Sequence, residues 1–145
     1  MIAYADTGFL VSLYGQDANS PVAAKELAKS AQPVFILTSL IEMEFNNAAA
    51  LRVFRKDWTR SEARMVREDF SNDLSTGVFR IATLGPEVWE KALELSQRHT
   101  AVLGTRTLDL LHVASALILK PDVFFTFDER QRKAAKAEHL RVLPA

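Results

Sequence analysis

Short apolar runs alternate with longer helical stretches along the whole chain. Ile2–Ala5 (IAYA) reads as a first strand ending at Asp6, with helical pattern through Tyr14 and again over residues 21–31. Val34–Leu37 (VFIL) reads as a second strand. Thr38 and Ser39 follow, residue types whose side-chain oxygens accept from the free N–H groups of a helix start, and they open a long helix. A charged helix over Arg60–Ser75 leads to a third strand at 78–82 (VFRIA), and Pro86 opens a helix with EVWEKALELSQRH. Residues 106–119 (RTLDLLHVASALIL) form a helix that is apolar on nearly every side, with Thr105 or Thr107 as candidate N-cap. Residues 123–127 (VFFTF) make a fourth strand ending at Asp128, residues 129–139 a last helix, and residues 140–143 (LRVL) a short final strand.

Strands that alternate with helices predict a parallel sheet covered on both faces. Continuous apolar strands, rather than alternating ones, fit that burial. In open sheets of this kind ligands sit beyond the carboxyl ends of the strands, so polar residues that directly follow a strand are the first candidates for a site.

Composition narrows the class. The chain has 145 residues, 48% of them hydrophobic and 25% charged, the make-up of an ordinary globular domain. Lys plus Arg and Asp plus Glu balance at 18 each, so net charge neither advertises nor excludes a polyanionic partner. The absence of cysteine removes disulfides and thiolate metal sites. The N-terminus has no basic segment before its apolar run, and no uncharged run approaches the roughly 20 residues of a membrane span. The expectation is one cytoplasmic domain over residues 1–145.

Four acids carry the candidate chemistry. Asp6 and Asp128 each follow a strand, although an aspartate there also serves simply as a helix cap. In the helix after the second strand, Glu42 and Glu44 point about 200° apart. Placing Leu40, Ile41, Met43, Ala48, Leu51 and Phe54 on the wheel puts Glu44 on the apolar face and Glu42 in solvent. Asp109 lies in the first turns of the most apolar helix, where the helix dipole offers about 0.3–1 kcal/mol, too little to offset burial of a charge. Carboxylates gathered this way make sense around a hard divalent cation such as Mg²⁺ or Mn²⁺, which prefers oxygen ligands. His112, one turn beyond Asp109, reads as a core histidine with a satisfied hydrogen bond rather than a ligand. Thr126 shares a strand face with Asp128 and is placed to orient it or a bound water.

These segments resemble the PIN-domain family, and within it the VapC-type toxin ribonucleases. YADTGFLVSLY, TSLIEMEFNNAAALR, RTLDLLHVASAL and FFTFDERQRKAA resemble the family's four acid-bearing motifs, and the third is the most specific. The resemblance implies a three-layer α/β/α sandwich with a central parallel sheet. It implies a catalytic and metal-binding set of Asp6, Glu44, Asp109 and Asp128, one or two Mg²⁺ or Mn²⁺ ions, and hydrolytic RNA cleavage by metal-activated water. It also implies a homodimer and a cognate antitoxin. RNA would need a basic rim. Arg130, Arg132, Lys133 and Lys136 follow Asp128 and are the better candidates. The cluster Arg52, Arg55, Lys56, Arg60, Arg64 and Arg67 reads more readily as solvated helix faces. Arg106 either touches phosphate or braces the site.

Rival readings fit less well. A receiver-type phosphoacceptor wants an acidic pair at the first strand and a lysine after the last; Asp6 stands alone and the chain closes on LPA. A haloacid-dehalogenase-like phosphatase wants a second Asp at position 8, which is Gly. There is no Gly-rich phosphate loop. A non-catalytic PIN-like module for RNA or protein binding is the alternative from another class, and the full acid set weighs against it.

Overall fold

The computed structural model describes residues 1–145. Five parallel strands form one sheet in the order β3-β2-β1-β4-β5. They are β1 (Ile2–Ala5), β2 (Val34–Leu37), β3 (Arg80–Ile81), β4 (Val123–Phe125) and β5 (Val142–Leu143). The helices are α1 (Thr7–Tyr14), α2 (Ser20–Lys29), α3 (Ser39–Phe54), α4 (Arg60–Ser75), α5 (Glu87–Leu95), α6 (Ala101–Leu103), α7 (Thr107–Leu119) and α8 (Glu129–Ala137). Helices α1 to α4 pack against one another, as do α5, α7 and α8, and the whole is a three-layer α/β/α sandwich with the sheet in the middle. No helix is long and apolar enough to cross a membrane.

The central strands carry the core. Tyr4, Phe124 and Phe125 are fully buried on β1 and β4, and Phe9 of α1 stacks on Phe125 and Phe127. Each such aromatic contributes about 1.5–3 kcal/mol on burial. β1 pairs with β2 on one side and β4 on the other. The chain runs from β1 outward through β2 to β3, then crosses to β4 and β5. The direction of winding therefore reverses beside β1, and the crevice beyond the carboxyl ends of β1 and β4 is where such a sheet binds ligands.

Element boundaries differ from the sequence reading where edges are exposed. The third strand shrinks to Arg80–Ile81, both exposed at the sheet edge, and the fifth to Val142–Leu143. β4 ends at Phe125, so Asp128 stands three residues beyond it, as the N-cap of α8. Neither Thr105 nor Thr107 caps α7; Arg106 holds the cap position in extended backbone. On α3 the buried stripe is Ile41, Phe45 and Ala49, whereas Met43, Leu51 and Phe54 are exposed. The wheel had counted those three as core.

The helix opened by Pro86 widens into a π-helical turn at Ser96–Thr100 before α6. Arg98 and His99 of this turn both donate to the carboxylate of Glu138 beyond α8, His99 Nε2 at 2.6 Å. Burial pushes the Glu138 carboxyl up, but those two donors outweigh it and hold it below its ordinary value. The folded value is depressed, so the contribution is present above the unfolded value near about 4.3 and is lost as pH falls. Glu138→Gln should therefore cost about 1 kcal/mol at pH 7. The difference from the unsubstituted protein should close below pH 4 in denaturant melts.

Candidate active site

Asp6 ends the central strand and starts α1. Its backbone N–H continues the ladder by donating to Phe125 O, so the strand end is fixed. Asp6 Oδ1 accepts from the N–H of Phe9 at 2.7 Å and Oδ2 accepts from Thr126 Oγ1 at 2.8 Å. The carboxylate is almost wholly buried. Burial raises its pKa, and the His112, Phe9 and Thr126 neighbours only partly offset the rise. No cation pairs with it.

Asp109 is equally buried but better compensated. Its Oδ2 accepts from the backbone N–H of Arg106 at 2.9 Å and from Arg106 Nε at 3.0 Å. Its Oδ1 accepts from Gln131 Nε2 at 3.1 Å and Arg106 Nη2 at 3.3 Å. Burial again raises the pKa, but Arg106 and Gln131 outweigh it and hold the group below the usual carboxylate range. A positive group that meets the buried aspartate is thus the Arg106 guanidinium. Arg106 Nη2 also donates to Asp128 Oδ2 at 3.0 Å and so bridges two of the acids. It braces the site, one of the two roles left open for it.

Asp128 caps α8, accepting at Oδ1 from the N–H groups of Arg130 and Gln131. Thr126 joins it to Asp6: its Oγ1 donates to Asp6 and accepts from the N–H of Asp128. Glu44 lies at the margin of the α3 buried stripe and reaches the site through two donors. Thr7 Oγ1 donates to Glu44 Oε1 at 3.0 Å, and His112 Nε2 lies 2.5 Å from the same oxygen. On the other side of the ring, Tyr4 OH lies 2.9 Å from His112 Nδ1. Burial raises the Tyr4 pKa and keeps the phenol protonated. A carboxylate only accepts, so His112 Nε2–H donates to Glu44, and Nδ1 shares a hydrogen bond with the Tyr4 hydroxyl. His112 is the satisfied core histidine expected from sequence, and its partner is a site acid.

One network thus links Asp6, Asp109 and Asp128 through Thr126, Arg106 and Gln131, and a separate one ties Glu44 to Thr7, His112 and Tyr4. No three carboxylate or imidazole groups converge closely enough to hold one ion among them. The donor chemistry still suits Mg²⁺ or Mn²⁺, which commonly take only one or two carboxylates and complete the octahedron with water. Asp6 and Asp128 also face a polar cavity of about 300 Å³, with Ser12, Arg52, Arg106 and Gln131 around it.

Gln131 was missed in the sequence. It donates to Asp109 and Asp128, accepts from Thr126 at 3.4 Å, and is buried. Its only signal was position: a long polar residue three after a capping aspartate faces back toward the cap. Among the expected RNA contacts, Arg132 turns inward. Its guanidinium donates to the carbonyls of Thr126 and Pro144 and pairs with Glu129, which leaves it no open face for RNA. Arg130 and Lys133 are exposed on α8, and Lys133 lies 3.9 Å from Glu129.

The chain is an α/β protein whose parallel sheet carries buried acids at its switch point. Residues 3–137 match the PIN domain family, and the chain belongs to that family. Among curated protein sequences none matches at a significant level. The fold is similar to that of VapC20 from Mycobacterium tuberculosis, a toxin that cleaves the sarcin-ricin loop, with a TM-score of 0.67 at 22% identity over 91% of this chain and 94% of that one. It is similar to FitAcB from Neisseria gonorrhoeae, with a TM-score of 0.68 at 17% identity over 98% and 96% of the two chains. A third similar structure is VapBC2 from Rickettsia felis bound to a DNA fragment from its promoter, with a TM-score of 0.62 at 15% identity over 98% and 97%.

Proposed function

We propose that the chain is a single-domain metal-dependent endoribonuclease, the toxin of a toxin–antitoxin pair, with RNA as substrate and a protein antitoxin as partner. The observation that carries it is the linked set of three aspartates at the switch point of a PIN domain, two of which face a cavity that also holds arginines. The likeness of the fold to VapC20 and to the FitAcB and VapBC2 structures supports the toxin reading.

Asp6, Asp109 and Asp128, with Glu44, would hold one or two Mg²⁺ or Mn²⁺ ions. Such an ion, when bound, lowers the pKa of a water and stabilises charge on the attacked phosphate. The remaining work falls to the chain's own residues. Thr126 fixes Asp6 and Asp128 relative to one another, and Gln131 aligns Asp109 with the α8 cap. His112 and Thr7 hold the Glu44 carboxylate in one rotamer. Arg106, two-thirds exposed, bridges Asp109 and Asp128 and holds the two carboxylates in register.

Labelled structured RNAs incubated with the purified protein test this. Cleavage in Mg²⁺ or Mn²⁺ that is lost with chelator and lost in Asp109→Asn is expected. RNA binding without cleavage under every metal condition would instead establish the non-catalytic module.

A further inference from the structure

Two cations line the site cavity, Arg52 and Arg106. Arg106 is engaged by two acids at once, and Arg52 is differently placed. It lies in the last turn of α3 and lines the same cavity as Asp6 and Asp128, and its side chain is 27% exposed. Its Nη2 donates to Asp17 Oδ2 at 3.0 Å and its guanidinium lies 5.2 Å from the centre of the Trp58 ring. It makes no other hydrogen bond, so most of its five donors are unused. Trp58 is buried and anchored through Nε1–H to the carbonyl of Gln16. Asp17 is itself held by Ser12 Oγ and the N–H of Asn19. The guanidinium is thus fixed in one pose before any ligand arrives, which removes the ordering cost that a free surface arginine meets on binding.

We propose that Arg52, backed by Trp58 and Asp17, is the seat for an RNA phosphate next to the one that is cut. The inference rests on the ribonuclease reading and deepens it. An acid-lined cleft repels a polyanion, and a pre-ordered fork in the same cavity offsets that repulsion while fixing the strand's register. The sequence placed Arg52 with the solvated helix faces; it is the member of that cluster that reaches the cavity.

The rival is purely structural: the Arg52–Asp17 pair simply ties α3 to the loop after α1. The two differ in the salt dependence of binding. If the pair is only a tie, Arg52→Gln and Asp17→Asn break the same bond, act on RNA only through their opposite changes of net charge, and leave the salt slope where it was. If Arg52 seats a phosphate, Asp17→Asn leaves a less neutralised arginine in place and tightens RNA binding, whereas Arg52→Gln weakens it.

The measurement is fluorescence anisotropy of a labelled single-stranded RNA titrated across KCl concentrations, in an Asp6→Asn background so that the RNA is not cut. Arg52→Gln should bind about tenfold more weakly, with the log–log salt slope reduced by about 0.7. Arg52→Lys should keep the slope, and Asp17→Asn should bind severalfold more tightly. An unchanged slope in Arg52→Gln, or affinity changes of the same sign in Arg52→Gln and Asp17→Asn, overturns the seat while leaving nuclease activity standing. If the parent neither binds RNA nor, with Asp6 restored, cleaves it, the ribonuclease reading itself fails and the seat with it.

Discussion

Asp6→Asn should abolish RNA cleavage, lowering single-turnover rates by about 10³ or more, while leaving the protein at least as stable as before. The two halves have one cause. An ionised carboxylate with no cation beside it is costly to bury, and burial has already pushed the Asp6 pKa upward. Asparagine keeps the shape and can still accept from the Phe9 N–H. Its amide would donate to Thr126 Oγ1, whose proton can turn to Gln131 Oε1, 3.4 Å away. Removal of the charge therefore relieves the fold at neutral pH and, on the ribonuclease proposal, removes an anionic ligand whose metal-linked stabilisation is worth several kcal/mol, or about 10³ in rate. Melting curves in chelator should show an unchanged or raised Tm for the variant. On addition of Mn²⁺ the unsubstituted protein should gain stability through binding, and Asp6→Asn should gain less. A variant that melts well below the unsubstituted protein in chelator would show that Asp6 is a structural cap and not a destabilised ligand.

That combination of cost and placement is also what marks the candidate site in the sequence. A carboxylate immediately after an apolar strand, and another inside a helix apolar on nearly every side, conflict with simple burial, and such conflicts mark function. Asp6, Asp109 and Asp128 could be read that way, and the parallel sheet from the alternation of elements. What could not be read was the compensation. Arg106 sits three residues before Asp109, a spacing equally consistent with a free arm, and only the extended cap backbone turns its guanidinium onto the carboxylate. Arg132 belongs to a basic run indistinguishable by composition from its neighbours; one face of α8 buries it against the chain end. On α3, exposed Met43 and Phe54 misled the wheel because their side chains carry the same hydrophobic signal as core residues. Glu44 was nonetheless placed on the inward side, because three of the wheel's residues, Leu40, Ile41 and Ala48, do turn that way.

Gly15→Ala should be among the most destabilising single-methyl changes in the chain, at about 2–3 kcal/mol, or a fall in Tm of roughly 5–10 °C for a domain of this size. A Cβ at position 15 would lie 2.3 Å from Cζ2 and 2.5 Å from Cη2 of Trp58, and 3.1 Å from the carbonyl of Val11. Backbone conformation is not the reason, since Gly15 has φ of −104°, open to any residue. The reason is that the indole cannot retreat. It is 6% exposed, its Nε1–H is committed to Gln16 O, and Arg52 stacks on it. Relief therefore requires the ring to leave its pocket or α1 to shift from beneath it. Either movement reaches the carboxyl edge, because α1 begins at Asp6 and the Trp58 ring backs Arg52. The paired variant separates the clash from any other effect of the methyl group. With Trp58→Leu already in place the ring atoms at 2.3 and 2.5 Å are gone, and Gly15→Ala should cost less than about 0.5 kcal/mol more. Equal costs in the two backgrounds, measured by denaturant unfolding, would mean that the strain lies against Val11 O and that Trp58 yields freely.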